Sequence, residues 1–347
     1  MRVAMAQINP TVADLQGNLS LIREAVRRGD DARVELVVLS ELCLSGYPPK
    51  DLLERSTFVR QCREALDELA AGVGETPTVV GFPEENTGST GKRVYNSCAF
   101  LRQGRVASVV RKTLLPTYDI FDENRYFEPA KRNVPIGVGG IRLGLTICED
   151  IWNDRDFWPK RLYRTDPVAN LVDQGAGAVF NISSSPYDLG KEDFRLRMLR
   201  SLAAKHRVPV IYVNQVGGND ELIFDGNSMA LGADGSLLAR GKPFTEDFLV
   251  VDTESREAIE WEETPIIERL YEALVLGTRD YARKCGFDRA VVGLSGGIDS
   301  AVTVCLAVAA LGKGKVLGVS MPSRYSSEGS VGDARAVARN LGIELDV

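Results

Sequence analysis

The sequence predicts an α/β protein of two domains, the second cut short. Three observations carry that prediction. Short apolar runs alternate with longer stretches of helical period from the first residues to about residue 252. An acidic stretch without apolar period, DTESREAIEWEETP from Asp252, then interrupts the pattern and reads as a linker, 253–265. Beyond it, Val291–Ser300 (VVGLSGGIDS) has the shape of a strand, a tight turn and a helix start, and only 47 residues follow Ser300.

Each element follows from its pattern. Val3–Ile8, Leu36–Leu39, Thr78–Phe82, Ser97–Leu101, Ala107–Arg111, Ile141–Ile147, Ala178–Ile182, Val208–Val213 and Ser228–Leu231 are apolar or alternating runs of strand length. Leu15–Arg28, Lys50–Ala71 and Glu192–His206 place apolar residues on one helical face. Gly217-Gly218 and Asp234-Gly235 mark turns. After the linker the chain reads helix (Ile266–Cys285), strand (Ala290–Leu294), helix (Ala301–Leu311), strand (Lys315–Ser320), helix (Val331–Leu341) and strand-like Ile343–Val347. That order is the first half of a doubly wound parallel domain, which normally continues for about another hundred residues. The domains expected are therefore 1–252 and 266–347.

Composition excludes several function classes. With 44% hydrophobic and 26% charged residues the chain can bury an ordinary core. A net charge of −6 argues against a nucleic-acid or anionic-membrane partner, so any anionic ligand must be held by local geometry. No apolar run approaches the ~18 residues of a membrane span, and the first residues lack a signal-peptide layout. Six cysteines without a CxxC pair fit a reduced, cytoplasmic setting. The single histidine, His206, falls at a helix end, which leaves clustered-histidine zinc sites and histidine-based triads without residues.

Cys148 sits at the end of an apolar strand run and is followed by Glu149-Asp150. A thiol nucleophile needs a base and an oxyanion stabiliser, and with histidine scarce these should be a carboxylate and a lysine. Two other strand runs end on such groups, Leu36–Leu39 before Ser40-Glu41 and Ala107–Arg111 before Lys112. The segments Ala4–Asn18 (AMAQINPTVADLQGN), Leu36–Leu52 (LVVLSELCLSGYPPKDL), Arg111–Phe127 (RKTLLPTYDIFDENRYF), Leu145–Trp152 (LTICEDIW) and Val213–Gly226 (VNQVGGNDELIFDG) resemble the nitrilase superfamily, and within it the glutaminase domains of glutamine-dependent NAD synthetases. The resemblance implies an αββα sandwich, with Glu41 as general base, Lys112 as transition-state cation and Cys148 as nucleophile. An ammonium beside the sulfur should favour thiolate. It further implies Tyr118 and Glu149 at the amine end of a bound glutamine, and Ser185 with Lys191 at its carboxylate. Some members carry arginine where Lys191 falls, and lysine cannot make the bidentate contact that arginine makes. Glu123 either orients Lys112, contacts the substrate amide, or is a plain loop charge.

Ser295–Ser300 (SGGIDS) lacks the GxxxxGK[ST] spacing of the common phosphate loop. Completed by Asp299-Ser300 after a strand, it resembles the pyrophosphate loop of the ATP pyrophosphatase superfamily, and Gly318–Ala334 (GVSMPSRYSSEGSVGDA) narrows the likeness to NAD synthetases. By that resemblance Ser295, Gly296, Gly297, Asp299 and Ser300 hold the ATP pyrophosphate, Gly293 lets the backbone turn closely, and Ser320, Met321 and Arg324 lie along the nucleotide. Asp299 is the expected Mg²⁺ ligand, a hard cation taking oxygen. The implied substrates are glutamine, ATP and deamido-NAD, with no prosthetic group, in a cytoplasmic homo-oligomer. A stand-alone amidase with a vestigial appendage and a non-catalytic fragment are the other readings that these residues leave open.

Overall fold

In the computed structural model, which describes residues 1–262, 264–323 and 328–347, period-two alternation along the strands sets the architecture. The chain divides into two units, Met1–Val216 with Phe224–Glu263, and Gly217–Ile223 with Thr264–Val347.

The first half of the first unit runs β1 (Arg2–Gln7), α1 (Leu15–Asp31), β2 (Leu36–Val38), α2 (Ser56–Gly72), β3 (Thr78–Glu85), β4 (Val94–Arg102) and β5 (Arg105–Arg111). It continues through α3 (Glu123–Tyr126), β6 (Ile136–Val138), β7 (Ile141–Ile147), α4 (Pro167–Asp173), β8 (Ala178–Ser183), α5 (Lys191–His206) and β9 (Val210–Asn214). A two-stranded ribbon, β10 (Val216–Asn219) and β11 (Leu222–Asp225), whose residues Gly217–Ile223 belong to the second unit, precedes β12 (Met229–Leu231), β13 (Leu237–Arg240) and β14 (Asp247–Asp252). Two six-stranded sheets result, in the orders β14-β1-β2-β3-β4-β5 and β13-β12-β9-β8-β7-β6. Both are mixed: β1-β2-β3 and β7-β8-β9 are parallel, and the flanking strands are antiparallel.

Alternate residues of each strand serve different layers. Val3, Met5, Val38 and Phe100 of the first sheet pack with Leu143, Leu145, Ile147, Phe180 and Val213 of the second. The other face of the first sheet, with Ala4, Val37 and Val80, lies on Leu19 and Ile22 of α1 and Leu66 and Leu69 of α2. The other face of the second, with Val179, Val210 and Tyr212, lies on Leu196, Leu199 and Leu202 of α5. Helix, sheet, sheet, helix is the layering that the resemblance implied. Hydrophobic burial, worth about 25 cal/mol per Å² of apolar surface, therefore acts on both faces of both sheets.

The boundaries differ in places from the sequence reading. The pattern over 50–71 is a 3₁₀ turn, Lys50–Glu54, and then α2. Arg55 between them is extended, because its carbonyl accepts the first helical N–H groups, from Phe58 (3.0 Å) and Val59 (3.3 Å). The short β6 and the late β13 and β14 went unread, being edge strands with weak alternation, as did the ribbon β10-β11, where Gly217-Gly218, read as a turn, lies inside β10. Residues 253–262 and 264–265 form no helix or strand.

The second unit contains α6 (Ile266–Lys284), β15 (Ala290–Gly293), α7 (Ile298–Leu311), β16 (Val316–Val319), α8 (Glu328–Leu341) and β17 (Glu344–Asp346). Its sheet, β15-β16-β17, is parallel throughout, and Leu294, Val304, Ala307, Val316 and Ala334 form its core. Among the described residues no helix is long and apolar enough to cross a membrane.

Candidate functional site

Cys148 is the first residue after β7, where the strand gives way to a 3₁₀ turn, Cys148–Ile151. Its φ of +42° is a left-handed conformation, which costs a residue with a Cβ about 1–3 kcal/mol and persists only where its surroundings dictate it. The turn is buried, with Cys148 and Glu149 each 5% exposed and Asp150 1%.

Two charged side chains from the opposite sheet meet it. Glu41 lies in the loop after β2 and Lys112 directly after β5, and neither reaches solvent. The Lys112 ammonium donates to Glu41 Oε1 at 2.7 Å and sits 2.7 Å from Glu123 Oε2. Glu41 is also held by Asn96 Nδ2 on Oε1 (2.7 Å) and by the Ser184 N–H on Oε2 (2.9 Å). Tyr47 donates its hydroxyl to Glu123 Oε1 at 2.8 Å. Glu123 thus grips Lys112, the first of the alternatives read for it.

Burial would strip the Lys112 proton, but Glu123 and Glu41 overcome that and hold the ammonium well above its usual range. Burial, with Glu41 beside it, pushes Glu123 up to about 7 against the pull of Lys112 and Tyr47. The pull of Lys112 on the thiol is in the expected direction but is not the largest effect. Lys112 does draw Cys148 toward thiolate, yet burial and the carboxylates of Glu41, Glu123 and Glu149 outweigh it. Cys148 is held well above its ordinary range and rests as the thiol. One cation cannot offset several carboxylates and a dry site.

Tyr118 and Glu149 meet as a pair, the tyrosine hydroxyl donating to Glu149 Oε2 at 2.8 Å. Tyr163 adds a second hydroxyl to Glu149, whose carboxyl burial pushes up. Ser185 is buried, with its N–H donating to Asn214 Oδ1 (2.9 Å) and its carbonyl accepting from Asn214 Nδ2 (3.2 Å). Lys191 opens α5, donates to the Pro186 carbonyl at 3.0 Å and stands 5.7 Å above the Trp152 ring. Burial and then Arg195 lower its pKa, and it lies near enough to Cys148 and Glu149 to feel their charge. Tyr118, Glu149 and Lys191 therefore border the same cluster as Glu41, Lys112 and Cys148. Asn96, Ser184, Tyr47, Tyr163 and Asp150 escaped the sequence reading, since nothing in their local pattern separates them from ordinary polar residues. Only for Asp150 was there a signal, its place two residues after the cysteine.

In the second unit, the turn after β15 is tied to the start of α7. Ser300 Oγ accepts from the Ser295 N–H (3.3 Å) and donates to the Gly297 carbonyl (2.9 Å), and Ser295 Oγ accepts from the Gly297 N–H (3.2 Å). Gly296 has φ +82°, and a Cβ there would lie 2.3 Å from the Ser330 carbonyl oxygen, so both backbone and space require glycine. Asp299 is exposed in the first turn of α7. Ser320 is buried and donates its N–H to the Asp346 carbonyl (2.8 Å), whereas Met321 is exposed. Arg324 lies outside the described residues. Among the described residues no three His, Cys, Asp or Glu side chains are grouped to hold a metal ion. Asp299 therefore offers a cation one carboxylate, and the oxygens of a bound nucleotide and water would have to supply the rest.

The profile described as carbon-nitrogen hydrolase matches residues 2–263, and that of NAD synthase matches residues 270–347. A glutamine-dependent NAD(+) synthetase of Synechocystis sp. is 43% identical over 351 residues, covering 98% of this chain and 63% of that protein. The structure of glutamine-dependent NAD+ synthetase from Acinetobacter baumannii, in complex with ADP, superposes with a TM-score of 0.90 at 33% identity, over 99% of this chain and 64% of that one. An amidase from Nesterenkonia sp. AN1, in a mutant with acrylamide added at its active-site cysteine, superposes with a TM-score of 0.59 at 25% identity, over 73% of this chain and 92% of that one. This chain thus spans a little under two thirds of the two synthetases' length.

Proposed function

The chain belongs to the carbon-nitrogen hydrolase family, and on that footing we propose that its first unit releases ammonia from glutamine for the ATP-dependent amidation of deamido-NAD to NAD⁺. The observation that carries the reading is a buried ammonium, Lys112, locked between the carboxylates of Glu41 and Glu123 beside a thiol that burial holds above its ordinary range. Such a thiol needs a base at the moment of attack. Glu41 Oε1 accepts from both Lys112 and Asn96, whereas Oε2 accepts only the Ser184 N–H, so the remaining lone pair of Oε2 is the proton acceptor.

As Cys148 Sγ bonds to the carboxamide carbon, its proton passes to Glu41. The carbonyl oxygen becomes an oxyanion, and the Lys112 ammonium and the Glu149 N–H receive it. Glu41 returns the proton to the amide nitrogen, the C–N bond breaks and ammonia leaves a thioester. Water then attacks the thioester with Glu41 again taking the proton, and glutamate departs as that proton returns to sulfur. Tyr118 and Glu149 would receive the substrate's α-ammonium, and Ser185 with Lys191 its α-carboxylate.

In the second unit, Ser295, Gly296, Gly297, Asp299 and Ser300 would seat the ATP pyrophosphate at the N-terminus of α7, where the first N–H groups of a helix lack intrahelical partners and the helix dipole favours an anion. Ser320, Met321 and Arg324 would flank the nucleotide, with Asp299 sharing the Mg²⁺ that arrives with ATP. The deamido-NAD carboxylate is adenylated with release of pyrophosphate, and ammonia then displaces AMP to give the amide. Support comes from the NAD synthase match over 270–347 and the likeness to the ADP complex. We divide the chain functionally into 1–252, a 253–265 linker and 266–347. Six unbridged cysteines support a cytoplasmic setting.

Glutamine, asparagine and simple amides assayed side by side test the reading. Glutamine should be hydrolysed far faster than the others, and Cys148→Ala should reduce that rate by more than about a thousandfold. Equal turnover of simple amides would favour a general amidase, and activity surviving in Cys148→Ala would remove the mechanism.

A further inference from the structure

The Asp150 side chain joins the ends of two strands that belong to different sheets. Its Oδ1 accepts from the N–H of Thr113 (3.0 Å) and of Leu114 (2.8 Å), just beyond Lys112 where β5 ends. Its Oδ2 accepts from the N–H of Ile147 (3.1 Å), just before Cys148 where β7 ends. β5 is the edge of the first sheet and β7 lies in the second, so one carboxylate spans the sandwich where the ammonium and the thiol are delivered. A carboxylate accepts at both oxygens and donates from neither, whereas an asparagine amide would turn an N–H₂ toward one of these donors. Without Asp150 these N–H groups, at closely packed strand ends, would lose their acceptor.

We propose that Asp150 is a positioning residue, which fixes the separation of Lys112 from Cys148 and holds Cys148 in its left-handed conformation. The proposal rests on Cys148 and Lys112 having the roles given above. Asn133 braces the same strand end from the other side, donating from Nδ2 to the Arg111 carbonyl (2.7 Å) and to Thr113 Oγ1 (3.2 Å). Lys112 is thus secured through the backbone on both sides, which leaves its ammonium little freedom to follow a displaced sulfur.

The test compares wild type with Asp150→Asn and Asp150→Ala, by glutamine hydrolysis and by iodoacetamide alkylation of Cys148 followed by mass spectrometry across a pH series. Both variants should lose at least about tenfold in kcat while KM stays within about threefold. Asparagine should lose less, because its Oδ1 keeps the Thr113 and Leu114 bonds. Alkylation should be slower at each pH of the series as Lys112 and the sulfur lose register. A lowered Tm with wild-type kcat and alkylation profile per folded molecule would overturn the proposal. Wild-type alkylation at Cys148 without glutamine hydrolysis would instead sink the glutamine reading, and the alkylation profiles would still decide the role of Asp150. Should neither variant fold, Asn133→Ala is read the same way. The same shifts at smaller size support the proposal, and none overturns it.

Discussion

At the residue scale, the site is a problem of charge in a dry place. Three ionisable groups, Glu41, Lys112 and Glu123, share one buried contact set, and the proton count of that set decides what Cys148 does. Glu123 titrates near 7, above its ordinary 4.5, so the folded state binds this proton more tightly than the unfolded chain. The stability that follows is whole below pH 4.5 and is lost as pH rises through about 7. Glu123→Gln cannot titrate. The wild-type Tm should therefore fall relative to that of Glu123→Gln as pH is raised from 5 to 7, and a constant difference would contradict the assignment. With one grip on Lys112 gone, the same variant should also lose about a hundredfold in glutaminase kcat.

At the scale of elements, chemistry is delivered by strand ends. A strand fixes the residue that follows it to within a fraction of an ångström, while the loop beyond is free to turn into the cleft. This works only where neighbouring backbones approach closely. Gly81 in β3 shows the constraint, since a Cβ there would fall 2.2 Å from the Leu42 nitrogen and 2.6 Å from the Ser40 carbonyl oxygen. Its own carbonyl accepts the Leu44 N–H at 3.1 Å, which seats the loop that carries Glu41. Gly81→Ala should push that loop away, costing about 1–3 kcal/mol of stability and more than tenfold in glutamine hydrolysis. Denaturant melts together with kinetics measure both, and an unchanged rate would show that Glu41 does not depend on this seat.

At the scale of the whole molecule, each unit has its own core, a large one inside and outside the sandwich and a small one around β15-β16-β17. Separate cores should unfold separately, so calorimetry should show two transitions. Mg-ATP at a hundred times its Kd stabilises the state that binds it by about 2.7 kcal/mol, which for a unit this small raises Tm by on the order of 10 °C. Only one transition should move. A single transition, or equal shifts in both, would mean that the units do not melt independently.

The αββα layering was legible only through the resemblance, whereas the pattern itself marked apolar strands between helices, because strands buried on both faces read as continuous apolar runs. Lys112 and Cys148 were legible as residues that directly follow strands, and Glu41 lies one residue further on, past Ser40. The edge strands β6, β13 and β14 were not, since a strand that is paired on one side needs less of the pattern. Nor were Asn96, Tyr47 and Ser184, whose partners are Glu41 and Glu123, 55, 76 and 143 residues away. By itself the sequence determined the succession of strands and helices in the first unit and, through the resemblance, the residues expected at its site. Only the tertiary structure decided the protonation of Cys148 and the tie that Asp150 makes between the sheets. Local pattern records burial, whereas the sign of a pKa shift and the closing of a hydrogen bond depend on charges and donors that meet through space.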